Sequence, residues 1–278
     1  MKLFKTAKGV FLQDNTSVYQ LEKDWDALVN RDDLYSYLIA QASTTTKVTG
    51  DEWQQDLLPP IATQEIWAAG VTYLQSRDAR VEESQSSGGS DLYKRVYDAE
   101  RPEIFFKSTA QRAVGHLQDI SIRKDSSWNV PEPELTLFIN SKGNIQGYTI
   151  GNDMSSRSIE GENALYLPQA KTYDKSAAIG PCLYVIAEPI SKQTMISIVI
   201  KRYDVAVYSD KTPLSRMKRS LEELAGFLYR ELTFKNGCYL MTGTCLVPPN
   251  DFTLQPMDVV EISIDGIGTL INTVAYNQ

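Results

Sequence analysis

Glu132 and Glu134 stand two residues apart, directly ahead of the apolar run Leu135, Leu137 and Ile139. In a β-strand, residues i and i+2 point to the same face, so both carboxylates leave the backbone on one side, roughly 6–7 Å apart at Cα. Pro131 and Pro133 stiffen the backbone and remove two N–H donors, which suits the entry of an edge strand. Ser141-Lys142-Gly143-Asn144 reads as a turn and 145–150 as the return strand, ending in Gly151-Asn152-Asp153. Such a hairpin brings Asp153 back beside Glu132 and Glu134. Three carboxylates at one point repel one another unless a proton or a cation intervenes. Oxygen-only ligation with no neighbouring Cys or His suits Mg²⁺, Mn²⁺ or Ca²⁺ rather than zinc. Lys171 supplies a positive group near the same place, able to hold a substrate carboxylate or move a proton. A bare Glu-x-Glu can equally be two solvent-facing residues of an edge strand.

The composition narrows the chemistry further. The chain has 278 residues, 42% hydrophobic and 23% charged, the profile of a globular protein with a large core. A formal charge of −7 argues against nucleic acid as a partner, while a bound dication still allows a small acidic substrate. No apolar run approaches the roughly 20 residues of a membrane span. Lys2, Lys5 and Lys8 are followed by no apolar core, which argues against a signal peptide. Cys182, Cys238 and Cys245 are odd in number and read as reduced thiols of a cytoplasmic protein. His116 is the single histidine, which excludes a multi-histidine zinc site. A lone histidine is more often structural than catalytic.

Around this centre, residues 1–63 read as a small N-terminal α/β subdomain and 64–278 as the main domain. The first carries short apolar alternations at Leu3/Phe4 and Val10–Leu12, then helical spacing over Trp25, Leu28, Leu34, Leu38 and Ile39. Asp24 and Asp32 are candidate caps, with a break near Arg31. In the main domain, Glu65–Tyr73 and Arg101–Ser108 read as strands, and the second offers Glu103 and Lys107 to its polar side. Residues 75–100, polar with Ser86-Ser87-Gly88-Gly89-Ser90 at the centre, are either a solvated loop or a lid. Strands are expected over 183–187 and 196–207, then a helix over 213–232 with Leu214, Met217, Leu221, Leu224 and Leu228 on one face. Gly243-Thr244 is a small-residue turn where backbone N–H groups can approach a ligand. Residues 258–264 and 269–276 close the sheet.

Taken together, Glu132-Pro133-Glu134, Gly147-Tyr148-Thr149, Asn152-Asp153-x-Ser155-x-Arg157, Lys171-x-x-Asp174, Gly180-Pro181 and the closing run Asp258–Asn272 resemble the fumarylacetoacetate hydrolase superfamily over about 66–274. The phrases RPEIFFKST, WNVPEPEL and EGENALYLPQAK are most similar to its branch of 2-keto-3-deoxy-D-arabinonate dehydratases. The resemblance implies an α+β, β-rich mixed-sheet fold rolled into an open barrel with the metal site at its mouth, and a homodimer or homotetramer. It implies Mg²⁺ on Glu132, Glu134 and Asp153, and Lys171 as proton carrier, with Glu103 or Glu160 assisting. Lys107, Thr244 and the Gly243 turn become substrate contacts, and Ser76 and Arg77, at the root of the 75–100 segment, bind the hydroxyl or carboxylate end. One departure is informative. Hydrolytic members carry a histidine three residues after the tyrosine of Gly-x-Asn-Tyr; this chain has Gly70-Val71-Thr72-Tyr73 and then Ser76. A serine cannot replace an imidazole as base at ordinary pH. The expected reaction is therefore dehydration of a 2-keto-3-deoxy sugar acid, of the 2-keto-3-deoxy-arabinonate to 2,5-dioxopentanoate type. An acylpyruvate-type C–C hydrolase, with His116 activating water, and a non-catalytic metal-stabilised binding protein are the alternatives.

Overall fold

The computed structural model describes residues 1–21, 24–75 and 95–277; Ser76, Arg77 and most of the 75–100 segment lie outside them. The chain opens with a three-stranded meander, β1 (Lys2–Thr6), β2 (Gly9–Asp14) and β3 (Ser17–Leu21), followed by helices α1 (Trp25–Val29) and α2 (Leu34–Thr44). Then come β4 (Leu57–Leu58), β5 (Glu65–Gly70), β6 (Glu103–Thr109), β7 (Ala113–Val114), β8 (Asp119–Ile122) and β9 (Asn129–Val130). The hairpin β10 (Pro133–Ile139) and β11 (Ile145–Asp153) leads through β12 (Ser155–Ser156) into α3 (Arg157–Glu162) and α4 (Leu167–Lys171). The remainder is β13 (Ala177–Tyr184), β14 (Met195–Arg202), β15 (Val205–Pro213), α5 (Leu221–Leu228), β16 (Cys238–Met241), β17 (Val259–Ile264) and β18 (Gly268–Tyr276).

These strands make a mixed, sheet-dominated α+β fold of open sheets, with no closed barrel among the described residues. The main sheet runs β3-β2-β1-β13-β11-β10-β16-β5-β6, with β4 on β1 and β7 on β13; a second runs β15-β14-β17-β18-β8. All of β10 is buried, because its two faces serve two cores. Leu135, Leu137 and Ile139 face the second sheet's Ile198, Ile262 and Leu270. Phe138, on the other face, joins Trp25, Leu28, Leu34 and Leu38 of the first two helices. The β1–β3 meander extends the main sheet through Leu3↔Leu183, so the N-terminal residues share that second core.

Several expectations need correction. The strand at Pro133 is not an edge: β10 pairs with β11 on one side and with β16 on the other, the latter only over Thr136–Ile139. The prolines precede that second ladder, so no bond is lost. The expected 183–187 strand begins earlier, at Ala177. The expected 196–207 strand is a hairpin, β14 turning into β15 at Tyr203-Asp204, both at positive φ. The expected helix over 213–232 shrinks to α5, because β15 runs to Pro213 and the helix starts only at Ser220, whose side chain accepts from the Glu223 amide. Asp32 caps nothing; Asp33 precedes α2, and Asp32 accepts from Asn140 and Lys142 in the β10–β11 turn.

Candidate active site

Period-two alternation and the hairpin register assemble the acidic centre. Pro133↔Asn152 and Glu134↔Gly151 pair directly, and Asp153 N donates to Glu132 O at 3.0 Å. Glu132 and Asp153 are therefore cross-strand neighbours on one face, with Glu134 next in that row. One oxygen from each of the three carboxylates lies within 4.8 Å of the others, and all three residues are buried. This cluster of hard oxygen donors could hold a divalent cation.

A belt of cations surrounds it. Lys171, last residue of α4, reaches Glu132 Oε2 at 2.7 Å, Asp153 Oδ2 at 3.1 Å and Ser155 Oγ at 2.5 Å. Arg157 Nη2 donates to Glu132 Oε1 at 2.6 Å, and Lys107 Nζ lies 2.6 Å from Asp153 Oδ1. The Gly243 amide donates to Glu134 Oε2 at 2.6 Å. Of the charged side chains that are buried among the described residues, only Arg219 and Asp258 lie elsewhere. The site holds four buried carboxylates, counting Glu160, against three cations. One negative charge is in excess; a dication leaves one positive, which suits a monoanionic substrate.

The protonation states follow from burial. Glu134 is pushed well above the ordinary carboxyl range, first by desolvation and then by Asp153 and Glu132, with the Gly243 amide and Lys171 opposing. Burial also lowers Lys107, against the pull of Asp153. Because a proton on Glu134 competes with a cation, Mg²⁺ affinity should weaken as pH falls, and from a higher pH than an ordinary carboxylate would set. Calorimetry in two buffers of different ionisation heat checks this through proton release on binding.

The other expected site residues fall around this centre. Thr244 and Gly243 line the pocket, with Ala69, Gly70, Val71, Phe105 and Arg157. The Gly243 amide, expected to face a ligand, is committed to Glu134. Lys107, expected to touch substrate, is fully buried and also bonds Met154 O at 2.9 Å and Lys171 O at 2.5 Å, so it holds Asp153 and the end of α4 in place. Glu160 is buried with Oε2 3.9 Å from Arg157 Nε and does not line the pocket. Glu103 packs on Gly70 at the rim, where a Cβ would come 2.0 Å from its Oε2. His116 does not line the pocket, and its Nδ1 accepts from Ile271 N at 3.2 Å. Arg157, Ser155 and Phe105 were not anticipated as site residues. The spacing of Asp153 and Ser155 was the available signal, since an extended run places i and i+2 on one face, while Arg157 opens α3 directly after it.

Gly243 is fixed in kind by its backbone. Its φ is +94°, and a Cβ would lie 2.0 Å from Thr72 Oγ1 and 3.0 Å from Ala69 O. Gly243→Ala should lower stability by about 1–3 kcal/mol and weaken Mg²⁺ binding through Glu134. Thermal melts with and without Mg²⁺ separate the two effects.

A family model described as fumarylacetoacetate (FAA) hydrolase C-terminal matches residues 65–275. A probable 2-keto-3-deoxyxylonate dehydratase of Haloferax volcanii is 50% identical over 217 residues, 77% of this chain and 73% of that protein. A 2-dehydro-3-deoxy-D-arabinonate dehydratase of Saccharolobus solfataricus is 37% identical over 292 aligned positions, 99% and 96% of the two chains. Among solved structures, a 2-keto-3-deoxy-D-arabinonate dehydratase complexed with magnesium and 2,5-dioxopentanoate superposes with a TM-score of 0.84, 33% identity and full coverage of both chains.

Proposed function

The chain belongs to the FAA hydrolase C-terminal family, and from that premise we propose that it is a Mg²⁺-dependent dehydratase of a 2-keto-3-deoxy sugar acid. The observation that carries the reading is the buried acidic trio with Lys171 in its midst and no imidazole in the lining. The relatives' names point to a five-carbon acid. With C2 oxidised and C3 reduced, both name the 4,5-dihydroxy-2-oxopentanoate skeleton.

Glu132, Glu134 and Asp153 would hold the dication, and Mn²⁺ or Ca²⁺ suits the same oxygen donors. When bound, it supplies Lewis-acid stabilisation of the negative charge that develops on the 2-keto oxygen. The chain's own residues do the rest. Lys171 Nζ is the amine of the lining, and it carries a proton from C3 to the departing C4 hydroxyl. One hydrogen from C3 and the hydroxyl leave as water, and a C3–C4 double bond forms. A hydrogen then shifts from C5 to C3, and the resulting enol ketonises to 2,5-dioxopentanoate. Arg157, Lys107 and the Gly243 amide hold the carboxylates in place. Phe105, Ala69 and Val71 supply apolar walls that limit water. Three buried free thiols accord with a reducing, cytoplasmic setting, and the homodimer or homotetramer is open to light scattering.

Incubation with a 2-keto-3-deoxypentonate and Mg²⁺ should yield the semialdehyde 2,5-dioxopentanoate, and EDTA should abolish its formation. Pyruvate and a carboxylic acid released from acylpyruvates, with no semialdehyde, would overturn the proposal.

A further inference from the structure

Lys171 touches oxygens that a cation at the acidic trio would also need. Its Nζ contacts Glu132 Oε2 and Asp153 Oδ2 at 2.7 and 3.1 Å. The opposite oxygens of both carboxylates are committed elsewhere, Glu132 Oε1 to Arg157 and Asp153 Oδ1 to Lys107, each at 2.6 Å. The inward oxygens of these two residues are thus the ones the ammonium holds. Space is equally tight. The pocket lined by the trio and Lys171 leaves only about 10 Å³ for the centres of water-sized spheres. That is at the lower limit for one water, whereas Mg²⁺ prefers six ligands and keeps several waters. Something must move for the ion to enter.

The other two cations are poorly placed to yield. Lys107 has two backbone carbonyls as further partners, from Met154 and Lys171. Arg157 reaches Glu132 from the first turn of α3, with Glu160 beside it. Lys171 alone has somewhere to go within the pocket. Ser155 Oγ donates to Asp153 O at 3.0 Å, so its lone pairs face the ammonium 2.5 Å away. The Phe105 ring, also in the lining, lies 5.8 Å from Nζ at its centroid, within range of a cation–π contact.

We infer that the Lys171 ammonium and the dication compete for Glu132 Oε2 and Asp153 Oδ2, so that loading the metal draws Nζ off both oxygens and leaves it held by Ser155, which it already contacts, and by the face of Phe105. This rests on the metal position in the proposed function, not on the dehydration. Withdrawal also leaves the amine beside the ion, clear of both carboxylates, where a substrate proton can reach it.

The test is calorimetric titration of Mg²⁺ into EDTA-stripped wild type, Lys171→Met and Lys107→Met, with no substrate present. Both variants lose one positive charge near the trio, so a purely electrostatic effect tightens both alike. Competition for the inward oxygens predicts about tenfold tighter Mg²⁺ binding in Lys171→Met and none of this gain in Lys107→Met, which frees only the outer oxygen of Asp153. Equal or weaker binding in Lys171→Met, or equal tightening in both, would overturn the inference. If melting curves show that either variant does not fold, crystals of the wild type soaked in Mg²⁺ decide. Nζ withdrawn from both oxygens supports it, and Nζ still on both contradicts it. Since no substrate is present, failure of the dehydratase reading leaves this result standing, and the reverse.

Discussion

Lys171→Ala should form 2,5-dioxopentanoate at no more than about one thousandth of the wild-type rate, within the range a positioned acid–base group contributes. The side chain is wholly buried and contacts two of the three trio residues, which puts its amine beside any proton exchanged there. The loss should appear in kcat and kcat/KM together, as for an interaction made in the transition state. Mg²⁺ binding should survive, because all three carboxylates remain. That split is the diagnostic feature: a lysine serving only to assemble the site would lose metal and turnover together. Retention of more than a tenth of the activity would remove Lys171 from its role.

Glu134→Gln should have the opposite profile. The amide oxygen can still accept from Gly243 N, which now meets Glu134 Oε2 at 2.6 Å, so the loop keeps its anchor. The charge is gone, and Mg²⁺ affinity should fall by about a hundredfold or more, at or beyond the top of the range seen for supporting residues of metal sites. Turnover at ordinary Mg²⁺ should vanish with it. The metal-stripped protein should nevertheless melt higher than wild type near neutrality. A carboxyl whose folded pKa lies above its unfolded value favours folding only at low pH and opposes it above that range. Glutamine removes the opposing term. Wild-type stability without metal should accordingly rise as pH falls toward the carboxyl range, while Glu134→Gln lacks that component. A variant that binds Mg²⁺ normally would remove Glu134 from the trio.

The acidic hairpin was legible because its two determinants are local. Period-two spacing put Glu132 and Glu134 on one face, and the Ser141–Asn144 turn returned the chain to Asp153. Lys171 was legible only as one residue of a longer pattern, since α4 reaches the hairpin through tertiary packing. The cation belt was half visible: Arg157 stands four residues after Asp153, at the start of α3, but nothing local says that Lys107 on β6 ends beside Asp153. The interior position of β10 depends on pairing with β16, about a hundred residues away, which no local pattern records. The helix drawn over 213–232 failed for a different reason. Leu214, Met217 and Leu221 repeat at helical spacing, yet Leu214 follows directly on a strand and the helix cap stands only at Ser220. Apolar spacing over a short window does not separate a strand end and tight turn from a helix.

The most direct test is anomalous diffraction from crystals soaked with Mn²⁺ and a 2-oxo acid. One strong peak is expected, bounded by the carboxylates of Glu132, Glu134 and Asp153, with the carboxylate and keto oxygens of the 2-oxo acid turned toward it. A peak elsewhere, or a 2-oxo acid bound with the trio empty, would contradict it.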